Sequence, residues 1–397
     1  MNADADRSPA RMSPWRFVVW FGTVSLLADV VYEGARSITG PLLASLGASA
    51  LLVGVVTGAG EAAALGLRLV SGPLADRTGR FWGLAIGGYA LTVVSVPLLG
   101  VAGVLWAACV LVIAERVGKA VRSPAKDTLL SHAAAATGRG RGFAVHEALD
   151  QIGALVGPLL VAGVLALTGD DYGPALGVLA LPGLAVLLVL WWLRARVPSP
   201  REYERETGAA APEPGAGRLP RAFWTYAAFT AVTTSGFAPF GVLSYHLVQR
   251  HLLTAAWVPV LYAAAMAVDA VAALATGWLY DRIGPRVLVA LPVLTAAVAA
   301  LAFTGTAPVA AAGALVWGAA MGIQESTLRA TVADLVPAGR RATAYGLFAG
   351  AVGAGSLVGG ALTGGLYGYS IPLLVTVVVA VQVLAVALLA ALRTTRH

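Results

Sequence analysis

Twelve long apolar segments dominate this chain of 397 residues and restrict its fold more than any other feature. A helix needs about 20 apolar residues to cross the roughly 30 Å hydrocarbon core of a bilayer. Only 12% of the residues are charged, whereas soluble domains have about 25%. We therefore predict twelve membrane-spanning helices, called spans 1–12, at residues 16–40, 50–74, 82–101, 104–128, 143–168, 173–194, 222–247, 255–279, 287–304, 308–334, 343–367 and 371–392.

One long polar segment divides the spans into two groups of six. It covers residues 194–221, is rich in Pro, Gly and charged residues, and has no apolar periodicity. Such a composition is typical of a flexible linker. The sequence therefore predicts an all-α integral membrane protein, with one six-helix bundle over residues 1–193, a linker over 194–221 and a second bundle over 222–397.

Arginines are unequally distributed between the two sets of loops. The set that includes the linker carries nearly all of them, whereas alternate loops such as "LTGDDYGP" and "FTGTAPVA" carry no Lys or Arg. Loops rich in Lys and Arg stay in the cytoplasm. We predict that both termini and the linker lie in the cytoplasm and that the protein resides in the inner membrane of a prokaryote. The net charge of +7 is thereby explained without nucleic acid.

A short polar motif occurs once in each half of the chain. "GPLADRTGR" begins at Gly72, and the looser copy "GWLYDRIGPR" begins at Gly277, 205 positions later. Two further matches, "RSPAKD" with "RATVAD" and "RGRGFA" with "RATAYG", have nearly the same offset. Parallel repeats of this kind occur in transporters whose substrates bind near the midplane between the halves.

These motifs resemble those of the major facilitator superfamily over essentially the whole chain. The loop after span 2 is similar to the signature loop of that superfamily, and span 5 carries a Gly-rich sequence similar to that of its drug/proton antiporter branch. In span 4, Arg116 matches an arginine of that branch, while Lys119 stands where glutamine is usual. The resemblance implies a major facilitator fold, alternating access, and a cavity lined by spans 1, 4, 7 and 10. The matching residues are Gly72, Asp76, Arg77, Gly79 and Arg80, with Gly277, Asp281 and Arg282 in the second copy, and Gly153, Gly157 and Pro158 in span 5.

The signature loop is expected to act as a gate. Asp76 can accept hydrogen bonds from the backbone at the start of span 11, and Arg77 and Arg80 can pair with carboxylates or lipid headgroups. Such contacts would hold the cytoplasmic side shut. The alternative is a basic loop that only fixes orientation. For Gly153, Gly157 and Pro158 we expect a role in hinge bending or helix packing.

Ionisable residues inside the spans are the candidates for proton coupling or substrate binding, because such residues are costly in a bilayer and usually face a cavity or a partner. Asp29, Glu33 and Glu61 are favoured for a proton or substrate role. Glu115–Lys119 and Glu325–Arg329 have the spacing of intrahelical ion pairs. The second half has fewer charges, among them Asp269 in span 8. The candidates are Asp29, Glu33, Arg36, Glu61, Glu115, Arg116, Lys119, His146, Asp150 and Glu325.

Catalytic and cofactor chemistry have little support in the sequence. Cys109 is the single cysteine, the five histidines form no HxxxH pair, and no phosphate-binding loop is present. We predict no enzymatic activity, cofactor or resident metal, and expect a monomer whose partners are a small-molecule substrate, protons and the lipid bilayer. The predicted function is proton-coupled export. The alternative is uptake or facilitated flux of an organic anion or a metal cation bound by the intramembrane charges.

Overall fold

The computed structural model describes residues 12–200, 203, 219–337 and 340–394. Residues 1–11 and most of the predicted linker lie outside these ranges. The regular structure of the described residues is helical. The α-helices are α1 (Pro14–Ser45), α2 (Ala50–Gly66), α3 (Arg68–Thr78), α4 (Phe81–Gly100), α5 (Leu105–Thr137), α6 (Arg139–Thr168), α7 (Tyr172–Gly177), α8 (Ala180–Arg196), α9 (Arg221–Ser235), α10 (Phe240–Gln249), α11 (Trp257–Ile283), α12 (Ala290–Ala302), α13 (Ala307–Leu335), α14 (Arg341–Tyr369) and α15 (Ile371–Thr394).

These helices make up the twelve predicted spans. The helices outnumber the spans because three spans are each divided into two helices. Helices α2 and α3 form span 2, α7 and α8 form span 6, and α9 and α10 form span 7. In span 6, Pro182 has no N–H to donate to the carbonyl of Val178, where the break occurs. In span 7, α9 ends at Ser235 with Gly236 as its C-cap, and Pro239 precedes α10. The break at Leu67 in span 2 has no comparable explanation.

Three of the spans differ from a simple apolar helix. Span 4 (α5) is charged in its middle, and in the described part of the chain it is not among the ten helices that are long and apolar enough to cross a membrane by composition alone. Spans 8 and 9 form one apolar stretch, Trp257–Ala302. A 3₁₀-helix, Gly284–Val289, divides that stretch into α11 and α12.

The signature motif is mostly helical rather than a loop, which corrects the prediction. Residues up to Thr78 belong to α3, and the turn itself is at Gly79, whose φ is +64°. In the second half, residues up to Ile283 belong to α11, and Gly284 also has a φ of +64°. Only glycine adopts such a φ without strain. Gly284 therefore occupies the position of Gly79 in the internal repeat, which the aligned motif predicts.

Each half of the molecule has its own apolar core. One set of buried side chains extends through the C-terminal half, and two sets fill the N-terminal half. Between the halves, small residues allow close contact on the side opposite the termini. A Cβ atom on Gly360 of α14 would collide with the Gly54 carbonyl of α2, and one on Gly40 of α1 would collide with the Gly241 carbonyl of α10. We call this glycine contact, formed by Gly40, Gly54, Gly241 and Gly360, the glycine seal.

Candidate functional site

A network of charged side chains lies in the middle of the N-terminal half, where spans 1, 2 and 4 meet. Glu61 of α2 lies between two arginines: its Oε1 is 3.1 Å from Nη2 of Arg36 and 3.2 Å from Nη1 of Arg116. Arg116 Nε is also 3.2 Å from Oε2 of Glu115. Buried arginines and carboxylates are stable only when each has a partner of opposite charge, and this network provides one for each of these four groups.

Tyr32 of α1 organises the same network. Its hydroxyl accepts hydrogen bonds from Nη1 of Arg116 at 2.5 Å and from Nη1 of Arg36 at 3.4 Å. Its ring lies against Lys119, whose Nζ is 3.8 Å from the ring centroid. A cation over an aromatic face is attracted by the ring quadrupole. The predicted Glu115–Lys119 ion pair does not form, because Glu115 pairs with Arg116 and Lys119 lies against Tyr32.

One hydrogen bond connects this network to the C-terminal half. The hydroxyl of Tyr262, in α11, donates to Oε2 of Glu33, in α1. Both side chains are buried, and Glu33 is also 3.6 Å from Arg36. The bond thus joins a charged group in one bundle to a side chain of the other.

A second polar cluster of the N-terminal half lies between spans 1, 4 and 5. His146 Nε2 is 2.7 Å from Oγ of Ser25, and His146 Nδ1 is 3.4 Å from Oδ2 of Asp150. Lys126 is 3.6 Å from the same Asp150 oxygen. Asp29 is within electrostatic reach of Asp150 and Lys126. Asp29, His146 and Asp150 therefore form a second group, and Asp29 is also within electrostatic reach of Glu33, with which the sequence placed it.

A cavity of about 430 Å³ lies between the halves. It extends from Glu61 and Pro239 to Arg329 and Tyr345, towards the side of the chain termini. The charged side chains that line it are Arg36, Glu61, Arg68, Lys119, Glu325 and Arg329. Four of the candidates predicted from the sequence therefore reach it, namely Arg36, Glu61, Lys119 and Glu325. Glu33, Glu115 and Arg116 lie behind its wall.

The C-terminal half supplies most of the apolar wall. Phe237, Trp317, Met321 and Phe348 line the cavity. The indole N–H of Trp317 donates to the carbonyl of Ala238 at 3.0 Å, which fixes its ring. Among the aromatic residues of span 7, Phe237 lines the cavity. Phe240 packs against Tyr262 instead, and Tyr245 packs against Tyr367.

Two carboxylates of the C-terminal half differ from those in the network because no cation among the described residues pairs with them. Glu325 of α13 is exposed in the cavity wall, and Asp269 of α11 is buried and 3% exposed. Among the described residues, neither has a cationic group within 4.0 Å, and Oδ1 of Asp269 has no hydrogen-bond partner. The predicted Glu325–Arg329 pair is therefore absent. The two acidic groups are within electrostatic reach of each other.

The predicted gate residues lie apart from the cavity. Asp76, Arg77 and Arg80 are exposed. Asp76 makes no hydrogen bond or ion pair with another described residue, and its contact with the start of span 11 remains a prediction. In the second copy, Arg282 lies over the ring of Trp278 at 3.6 Å.

The span 5 glycines pack two helices of the N-terminal half together. A Cβ on Gly153 would collide with the carbonyl of Leu26, and one on Gly157 with the carbonyl of Val30, both in span 1. Pro158 lies within α6. Packing accounts for the two glycines, and hinge bending remains a prediction.

Sequence reasoning missed Tyr32 and Tyr262 and left Asp269 outside the candidate set. Tyr32 lies one turn before Arg36, so its place on the charged face was available from helical spacing. Nothing local marks Tyr262, since its partner is in the other half. Asp269 carried the usual signal of an ionisable residue in an apolar span.

Comparison with known proteins identifies the family. The family model described as Major Facilitator Superfamily matches residues 23–360 and 251–397. The chain is 64% identical over 389 residues to the uncharacterized protein Rv2265 of Mycobacterium tuberculosis, covering 97% of this chain and 95% of the relative. It is 25% identical over 359 residues to an uncharacterized MFS-type transporter of Methanocaldococcus jannaschii, with 88% of each covered.

Solved structures of similar fold share little sequence with it. The nucleoside transporter NupG has a TM-score of 0.71 at 13% identity, covering 96% of this chain and 98% of that one. A peptide transporter POT in complex with sulfate has a TM-score of 0.73 at 14% identity, with 96% and 95% covered. A bacterial homolog of the lysosomal transporter Spinster, in an inward-facing and occupied conformation, has a TM-score of 0.68 at 17% identity, with 97% and 96% covered. The fold, with twelve spans in two bundles, is shared with these transporters, and the chain belongs to the major facilitator superfamily.

Proposed function

We propose that this membrane transporter moves a small molecule by alternating access and that protons drive it by binding at Glu325 and Asp269. The proposal places the protein in the inner membrane of a prokaryote, with both termini in the cytoplasm. The arginine distribution supports this orientation, and the mycobacterial and archaeal relatives support a prokaryotic origin.

The observation that carries the proposal is that no cation of the described residues lies within 4.0 Å of either carboxylate. An unpaired charge inside a protein is costly to bury, and two neighbouring carboxylates repel each other when both are ionised. A proton on either group relieves the repulsion, and a proton on Asp269, which is 3% exposed, also removes the buried charge. Glu61 is a weaker candidate than the sequence suggested, because a proton there would have to displace two arginines.

The surroundings of Glu325 and Asp269 connect a bound proton to both halves. Asp269 lies two turns after Tyr262, which donates to Glu33 of the other half. Protonation of Asp269 would change the electrostatic potential at the Tyr262–Glu33 hydrogen bond. The charged groups that face the two carboxylates are Arg329 of span 10, Lys119 of span 4, Arg36 and Glu33 of span 1, and Glu147 of span 5.

The direction of transport depends on how the substrate and the proton interact. Export, predicted from the sequence, requires exchange, in which substrate and proton compete for one site. Uptake requires that they bind together. A proton that crosses about 100 mV supplies roughly 2.3 kcal/mol for either process.

The proposal is tested in liposomes that contain a pH-sensitive dye and the purified protein. A panel of small anions, cations and neutral molecules is added outside. In the wild type, a transported compound should change the internal pH. Glu325→Gln or Asp269→Asn should abolish this change while substrate binding persists. Asp171→Asn is the matched control, because Asp171 lies in the loop before α7 and caps that helix.

Transport by the wild type with no movement of protons would contradict the proposal. An unchanged proton signal in both Glu325→Gln and Asp269→Asn would also do so. A signal lost in Glu61→Gln alone would move the coupling site to the network of the N-terminal half.

A further inference from the structure

Positive charges outnumber negative charges in the cavity lining once the existing ion pairs are set aside. Arg36 and Glu61 pair with each other at 3.1 Å. Lys119, Arg68 and Arg329 have no carboxylate within 4.0 Å in the described ranges. Glu325 is the unpaired carboxylate that remains in the lining. Three cations against one carboxylate leave an excess of two positive charges.

The three cations come from both bundles. Lys119 lies on span 4 against Tyr32. Arg68, at the start of α3, donates to the carbonyl of Ala64 at 3.1 Å and to the hydroxyl of Ser123 at 3.3 Å. Neither acceptor is ionised, and Asp127, which is within electrostatic reach of Arg68, forms no ion pair with it within 4.0 Å. Arg329 is contributed by span 10 of the other half, so a ligand held by these groups would contact both bundles.

The remainder of the cavity suits an apolar group. The Trp317 and Phe237 rings stack with centroids 5.9 Å apart, and Met321 and Phe348 extend the same wall. A volume of about 430 Å³ lies within the range of small-molecule sites, which are mostly apolar with a few charged groups.

We infer that the substrate is a small organic anion with an apolar or aromatic part. The anionic group binds among Lys119, Arg68 and Arg329, and the apolar part lies against Trp317 and Phe237. Among the described residues, no group of three His, Cys, Asp or Glu side chains is placed to hold a metal ion, so the cavity offers a metal cation no comparable site.

This inference rests on the proposed function and also determines its direction. Protonation of Glu325 removes the unpaired carboxylate and raises the excess from two to three positive charges. An anion then binds more tightly, and a bound anion favours the proton in return. Substrate and proton therefore travel together, which makes inward co-transport, rather than the predicted export, the direction of transport.

The test is ligand binding to the purified protein, measured by thermal shift and calorimetry at one pH without a membrane gradient. The probes are benzenesulfonate, benzenesulfonamide and benzyltrimethylammonium, which share a ring and differ in charge, together with methanesulfonate, which lacks the ring. Benzenesulfonate should stabilise the protein, and the other three should not. A ligand that binds only the folded state raises the melting temperature in proportion to its affinity.

Variants locate the site. Lys119→Gln and Arg329→Gln should each weaken benzenesulfonate binding by roughly tenfold or more, because each removes a charge-assisted contact. Lys119→Arg keeps the charge and should retain binding, which separates loss of charge from misfolding. Arg282→Gln is the matched control, since Arg282 lies over Trp278 outside the cavity.

Stabilisation by the cation or the neutral amide, or no stabilisation by benzenesulfonate, would overturn the inference. Equal binding to the wild type and to both Gln variants would also overturn it. Because no gradient is involved, these results are independent of proton coupling. Anion binding combined with transport that ignores the pH gradient would leave the substrate class standing and reject the proposed coupling.

Discussion

In the N-terminal half, Glu61 lies between Arg36 and Arg116, whereas in the C-terminal half Asp269 and Glu325 have no cation within 4.0 Å in the part of the chain that the structure describes. The first arrangement compensates its charges locally and resists change. The second leaves charge uncompensated, and a proton or a substrate can compensate it. The comparison suggests that the N-terminal network maintains the shape of the site while the C-terminal carboxylates respond to protons.

The largest expected effect follows from removing the shared cation of the network. Arg116→Met leaves Glu115 without its ion-pair partner, and Glu61 keeps only Arg36. Breaking a buried ion pair typically costs about 3–5 kcal/mol, so the free energy of unfolding in mixed micelles should fall by about that amount. Arg282→Met, outside the network, should cost less than about 1 kcal/mol. Equal losses would show that the network has no special structural role.

The Tyr262–Glu33 hydrogen bond should have the next largest effect. Tyr262→Phe removes the donor to buried Glu33, and hydrogen bonds to charged groups contribute about 1.5–3 kcal/mol. The population of molecules that are open on the side opposite the chain termini should increase. Spin-label distances between residues 46–49 and residues 368–370 measure this population. The control is Tyr245→Phe, because Tyr245 makes an edge contact with Tyr367. Unchanged distances in Tyr262→Phe would show that the bond does not hold the halves together.

The glycine seal should show a similar but smaller effect. Gly360→Ala places a methyl group against the Gly54 carbonyl, and overpacking costs about 1–3 kcal/mol. The same spin-label distances should lengthen. In Gly365→Ala, the nearest atom to the new methyl group is Cδ1 of Leu51 at 3.6 Å, an ordinary contact, so those distances should not change. If both variants behave alike, close glycine packing does not close this side.

The smallest change in stability is expected at the unpaired carboxylate. Glu325→Gln breaks no ion pair, so the free energy of unfolding should change by less than about 0.5 kcal/mol. Glu61→Gln, the same chemical change, removes the carboxylate that two arginines share and should be clearly destabilising. Urea titrations of both variants at neutral pH make this comparison. A large loss in Glu325→Gln would reveal a structural partner and weaken the proposed role.

The sequence was sufficient to predict the twelve spans, the two bundles and the internal repeat, because bilayer thickness limits helix length and each half repeats the motif. It also selected Arg36, Glu61, Lys119 and Glu325 as candidates, and the structure places these four in the cavity lining. Partner choice was not predictable: helical spacing suggested Glu115–Lys119, whereas Glu115 pairs with its neighbour Arg116 and Lys119 lies against Tyr32 of span 1. The Tyr262–Glu33 bond likewise depends on how the two bundles dock, for which no local pattern exists.

The most direct test of the central claim is infrared difference spectroscopy of the reconstituted protein during a pH titration, because protonated carboxyl groups absorb separately from ionised ones. The account predicts a carboxyl signal in the wild type that is lost or reduced in Glu325→Gln and Asp269→Asn and retained in Glu61→Gln. A signal that disappears in Glu61→Gln and persists in the other two variants would contradict it, because the proton would then bind within the paired network.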